Sequence, residues 1–195
     1  CIRDRIDNIG IYDDPELDAY VRQVGERLLR DSGITKPDFS FTLLDSPDIN
    51  AFALPGGLIY VNRGLLAYLD TEAELAGVLA HEIGHITERH HSRRKTASLT
   101  SKVAAVSAYI LTGSGDVYEA ASMYGAEIIS GFGRDMELEA DSAGAEYLHQ
   151  TGYDVDSMLS VIGVLKDQEQ YRRMQAKASG KPSGTCLLYT SPSPR

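Results

Sequence analysis

The stretch His81-Glu82-Ile83-Gly84-His85 constrains this chain more than any other part of it. In a helix, positions four apart lie about 40° from one another around the axis and roughly 6 Å along it, so two imidazoles at this spacing converge on one cation. Burying both rings without a ligand leaves polar groups unpaired. Glu82 sits beside such a cation rather than on it. That is where a general base must stand to take a proton from a metal-activated water. Two histidines leave a zinc ion short of a ligand, so the fold must bring a third to this helix from another element.

The helical context is supported by Thr71, which is followed three residues later by Glu74, the pattern of a capping box. Leu75, Val78, Leu79, Ile83 and Ile86 then mark a buried face. The helix is expected to run to about residue 95, ending in Arg93-Arg94-Lys95, where cations suit a helix C-terminus. Arg89 and His90 are read as part of that terminal charge.

A further helix is expected from Asp135 to Gln150, and it carries Glu137, Glu139, Asp141 and Glu146. Glu137 and Asp141 share a face bordered by Met136, Ala140 and Ala143, whereas Glu139 lies about 200° round the axis from Glu137 and is expected to meet solvent. Glu137 is therefore the candidate third ligand. Asp141 is the candidate partner that hydrogen-bonds a ligating imidazole and fixes its tautomer. On spacing alone, a solvated acidic face near a helix start explains both acids as well.

The rest of the chain reads as one α+β domain that is mainly helical. Asp14-Pro15-Glu16 opens a helix expected over about 15–31. Phe39, Phe41 and Leu43 alternate at strand period, and the runs 49–54 and 58–61 flank Pro55-Gly56-Gly57 as a hairpin, whose glycine pair allows close approach of another backbone. A short helix is expected over 63–69. Residues 97–130 are rich in small residues and split at Gly113-Ser114-Gly115 into two weak helical segments, a candidate lid. Asp156 caps a last helix to about 177. The catalytic domain is assigned to residues 1–179, and 180–195, rich in Ser and Pro, are read as a disordered, non-native tail.

A formal net charge of −9 argues against nucleic acid and against a polybasic membrane anchor. The two cysteines, Cys1 and Cys186, make no disulfide framework. Val103–Leu111, the most apolar stretch, is too short to span a bilayer.

Taken together, His81-Glu-Ile-Gly-His85-Ile-Thr-Glu-Arg89-His90 and Glu137-Leu-Glu139-Ala-Asp141 resemble the HExxH plus ExxxD pattern of the prenyl-protease/Oma-like (Ste24-like) family of gluzincin peptidases. The segment 49–57, Ile-Asn-Ala-Phe-Ala-Leu-Pro-Gly-Gly, and Gly152-Tyr153-Asp154 resemble that family too, over roughly residues 10–175. The match is best to its bacterial envelope branch, which includes outer-membrane-assembly proteases. The resemblance implies a zincin-like fold with a small sheet beside the HExxH helix, and one zinc per chain on His81, His85 and Glu137. It further implies Glu82 as catalytic base, Asp141 supporting a ligand, and a Gly56-Gly57 strand lining the cleft along which an extended polypeptide substrate adds. It implies an envelope or periplasmic setting. Cys1 is read either as a lipid-modified cysteine, with peripheral membrane association, or as a fragment boundary. Tyr124, Tyr147 and His90 are candidates for stabilising the oxyanion. The family's later His-Pro segment has no counterpart ahead of Gly180. A zinc-bound holdase that cuts little is the rival function, and Glu82 argues against it, because pure binding needs no base.

Overall fold

The structure is a computed structural model that describes residues 9–35, 37–165 and 174. Its first helix, α1, covers Pro15–Asp31, with Pro15 in the first turn and the Asp14 carboxylate accepting from the Leu17 N–H at 3.0 Å. This is the helix start expected from Asp-Pro-Glu, since Asp satisfies a donor that the first turn leaves free. Val21, Val24 and Leu28 recur at helical spacing and are buried.

Three strands come next along the chain: β1 (Ser40–Leu44), β2 (Ala51–Leu54) and β3 (Leu58–Asn62). Their order in the sheet is β1-β3-β2, with β1 parallel and β2 antiparallel to β3. The expected β2–β3 hairpin is present, turning at Pro55-Gly56-Gly57. Gly57 has φ +88°, and a β-carbon there would meet the Asp38 carbonyl oxygen at 2.1 Å, so a glycine is needed on both counts. The glycine pair thus belongs to the turn rather than to a strand, and the backbone it admits is that of Asp38. Among the described residues β2 pairs only with β3, so its other edge is free of strands and faces the next long helix.

After a short α2 (Arg63–Leu66), α3 covers Glu72–Thr87. The capping box forms as expected: the Thr71 hydroxyl accepts from the Glu74 N–H at 3.2 Å, and the Glu74 carboxylate accepts from the Thr71 N–H at 3.1 Å. Every residue from Leu75 to Ile86 is buried, so α3 is a core helix on all sides. It packs on the sheet and α1 on one side and, on the other, on the long helix that carries Glu137.

Two boundaries differ from expectation. First, α3 stops at Thr87 instead of reaching residue 95. Arg89 takes a left-handed conformation (φ 55°, ψ 34°), and α4 (His90–Thr112) starts afresh beyond it. A non-glycine residue in that region costs roughly 1–2 kcal/mol, so the corner is held by the packing around it. Second, the break at 113–115 is real, but the expected weak segment and the expected ligand helix beyond it are not separate elements. One helix, α5 (Gly115–Thr151), runs through both. It lies antiparallel against α4, and that partner supports a stretch whose own composition is poor in apolar periodicity.

Residues 156–165 form α6, part of the last expected helix; its continuation, apart from Met174, and the 180–195 tail lie outside the described residues. The core joins Leu28, Phe41, Leu43, Ile59, Val61, Leu75, Leu79, Ile83, Leu148 and Met158 across α1, the sheet, α3, α5 and α6. Among the described residues, no helix is long and apolar enough to cross a membrane.

Candidate metal centre

The α3–α5 crossing brings the predicted residues together. His81 and His85 lie one turn apart on α3, with their Nε2 atoms 3.0 Å apart. From α5, Glu137 Oε2 lies 3.6 Å from His81 Nε2, and Glu137 Oε1 lies 3.7 Å from His85 Nε2. Three donors on a tetrahedral zinc at bonds of about 2.1 Å stand roughly 3.4 Å from one another. The spacing of the two rings, and that of each ring to the nearer Glu137 oxygen, bracket that value. The two imidazoles are buried and Glu137 is mostly so, yet Glu137 Oε2 finds no hydrogen-bond partner among the described residues. An orphaned carboxylate oxygen facing a ring nitrogen, with its sister oxygen facing a second, fits a divalent cation better than it fits a packed protein interior.

The protonation of the rings points the same way. Burial disfavours charge on His81, but Asp141 and then Glu137 outweigh it and hold the ring up at about 9. Burial and the positive charge of His81 push His85 down to about 2. Two adjacent acids thus draw one positive charge into a pair of rings, the charge that a cation would supply. Asp141 Oδ1 lies 2.9 Å from His81 Nδ1, the nitrogen turned away from the cluster. A carboxylate in that place can fix the tautomer of an imidazole whose other nitrogen is committed elsewhere.

Glu82 is buried at the base of the cluster, with one oxygen, Oε2, unpartnered among the described residues. Burial raises its carboxyl to about 7, with Glu137 adding to the effect and the positive His81 and the Ala53 N–H opposing it. A carboxyl poised near neutrality suits a group that must take up a proton and give it back.

The sheet contributes through main chain. Asn62 N–H donates to the Asn50 carbonyl, which sets the hydrogen-bonding phase of the hairpin and turns the amide groups of Ala53 outward from β3. The Ala53 N–H reaches Glu82, and its carbonyl accepts from the His91 ring. The hairpin residue at the acid is therefore Ala53, while Gly56 and Gly57 sit at the turn beyond it. Nothing in the side chain of an alanine announces this part.

His90 departs furthest from its assignment as terminal charge. It is buried, its Nδ1 lies 2.8 Å from His85 Nδ1, and its Nε2 lies 3.1 Å from Glu139 Oε2. Glu139, expected in solvent, is half-buried and clasped by His90 and by the Arg93 guanidinium, which reaches both of its oxygens. The Arg93 hydrogen bond, with that of His90, holds the Glu139 carboxyl below its usual range. The left-handed Arg89 was the missing signal: only a chain that turns there folds α4 back against the site. Among the oxyanion candidates, the Tyr147 hydroxyl pairs with Thr87 Oγ1 at 3.0 Å, and the side chain of Tyr124 lies outside the described residues. A groove of about 610 Å³ between α1 and β1 holds none of the site residues.

Residues 15–195 match Peptidase family M48. A "Beta-barrel assembly-enhancing protease" of Escherichia coli (strain K12) is 31% identical over 195 residues, 95% of this chain and 38% of that protein. The protein of the same name from Yersinia pestis is 34% identical over 168 residues, covering 81% of this chain and 34% of the relative. A "Mitochondrial metalloendopeptidase OMA1" of Schizosaccharomyces pombe is 31% identical over 166 residues, 84% of this chain and 49% of its own. The chain thus spans about a third to a half of the length of these relatives.

Proposed function

The chain belongs to peptidase family M48, and on that premise we propose that it is a zinc-dependent endopeptidase whose general base is Glu82. The observation that carries this reading is the convergence of His81, His85 and Glu137 within 4.8 Å of one another, with a buried carboxyl of raised pKa beside them. His81, His85 and Glu137 would hold the metal. Zinc there supplies Lewis acidity to a scissile carbonyl and acidifies water toward a pKa of about 7.

The chain's own groups do the rest. Asp141 orients His81 through Nδ1. Glu82 accepts the proton of the attacking water and passes it to the departing amine, and its burial keeps the return transfer favourable. The Ala53 N–H holds the Glu82 carboxylate in place. Either side of Ala53, whose outward groups are engaged, the β2 edge at Ala51 and the Gly56-Gly57 turn offer main-chain groups to which an extended polypeptide can add. Proteins of the bacterial envelope, unfolded or misassembled, are the proposed substrates. The name of the bacterial relatives, which refers to β-barrel assembly, supports that class and an envelope setting.

The test compares the parent with Glu82→Gln for bound zinc and for cleavage of unfolded casein. Equal zinc, with cleavage lowered about 10²- to 10⁴-fold in the variant, is the expected result. Zinc without cleavage in either protein would favour a holdase instead. No zinc in the parent would refute the metal centre.

A further inference from the structure

We propose that His90 is a positioning residue for His85, completing a Glu139–His90–His85 chain that commits His85 Nε2 to the metal; this rests on the metal centre assigned above. His85 turns Nε2 toward His81 and Glu137 and Nδ1 toward His90. A neutral imidazole that gives its Nε2 lone pair to a cation carries its proton on Nδ1 and donates from there. His90 Nδ1, 2.8 Å away, must then accept, which leaves the proton of His90 on Nε2. That nitrogen faces Glu139 Oε2 at 3.1 Å, and an ionised carboxylate only accepts. With Arg93 gripping both oxygens of Glu139, every donor in the chain meets an acceptor, and only one tautomer of each ring allows it.

The two candidate ligand rings are thus braced differently. His81 meets a carboxylate, Asp141, directly at 2.9 Å, whereas His85 meets one through a second imidazole. The geometry depends on the corner at Arg89. In an uninterrupted helix, residues five apart lie about 140° round the axis, and His90 could not touch His85. The left-handed turn at Arg89 returns it there, which gives a strained residue a purpose.

The test measures the zinc dissociation constant by chelator competition in the parent, His90→Phe, His90→Gln and Glu139→Ala. Phe fills the space without an acceptor, while Gln can both accept from His85 and donate to Glu139. Zinc affinity is expected to fall about 10- to 100-fold in His90→Phe and to stay within about threefold of the parent in His90→Gln. In ¹⁵N-edited spectra of the zinc-loaded protein, the slowly exchanging Nδ1–H of His85 should persist in the parent and in His90→Gln and vanish in His90→Phe. Should His90→Phe not fold, Glu139→Ala is read in its place, with a loss of about tenfold expected. Unchanged zinc affinity in the folded variants overturns the proposal and leaves the metal centre standing. So does a His90→Gln as weak as His90→Phe. A parent that binds no zinc fails at the metal centre itself.

Discussion

Gly84 of α3 lies against the main chain of α5 at Ala140, so closely that a β-carbon on Gly84 would stand 2.9 Å from the Ala140 carbonyl oxygen. Gly144 returns the contact, since a β-carbon there would meet the His81 main-chain nitrogen at 3.1 Å. These two glycines set the separation of the helices, and with it the distance between the candidate histidine ligands and Glu137. Gly84→Val must push the helices apart. It is expected to destabilise the fold by about 1–3 kcal/mol in denaturant titrations and to weaken zinc binding measured by chelator competition. A variant that loses stability but binds zinc as the parent does would show that the spacing is not what the metal needs.

Removal of the metal should lower stability by mass action. At free zinc 100-fold above its dissociation constant the gain is about 2.7 kcal/mol, and a melting curve in chelator should lose that increment. Glu137→Ala should melt at the same temperature with and without zinc.

Tyr153 supplies a pH dependence remote from the site. Its hydroxyl donates to Glu72 Oε1 at 2.5 Å, and the Arg27 guanidinium stacks 4.5 Å from its ring centroid. Burial first, then the bond to Glu72, raises its pKa to about 12 against a usual 10. The neutral phenol is favoured in the folded chain, so this stabilisation is complete below pH 10 and is lost as the pH rises through 12. Thermal melts over that range should fall less steeply in Tyr153→Phe than in the parent.

The hairpin glycines should separate sharply. A β-carbon at Gly56 meets open space, so Gly56→Ala carries only the strain of its positive φ, about 1–2 kcal/mol. Gly57→Ala adds a collision with the Asp38 main chain and should lower the melting temperature considerably more. Equal losses would mean that β1 can yield at that point.

How much of this was legible in the sequence depends on where each feature is written. The α1 start, the capping box at Thr71 and the hairpin are local, set by residues close to one another in the chain, and the structure has them as read. Counting a helical face put Glu137 among the candidates, and only the α3–α5 crossing, which no local signal encodes, sets it beside the two histidines. The end of α3 was not, because Arg89 has no intrinsic preference for the left-handed region, and only tertiary packing makes it turn. Glu139 and His90 were misjudged as a direct result, since their contact requires that turn. The part taken by Ala53 was hidden for another reason: it is made by main-chain groups, whose direction derives from pairing register rather than from residue type.

The unbroken course of α5 has a mechanical consequence. From Gly115 at the hairpin tip to Ala140 at the glycine crossing, the helix extends roughly 38 Å at about 1.5 Å per residue. Glu137 lies only about 4.5 Å from that crossing on the same rod. With the crossing as fulcrum, a tilt of about 5° carries the tip by roughly 3 Å and Glu137 by roughly 0.4 Å. The apolar side chains at the far end, Ile110 and Leu111 among them, stand in solvent at 74% and 85% exposure. The helix is in effect a lever with a long outer arm, so a large displacement at the tip is geared down to a fine adjustment of the carboxylate.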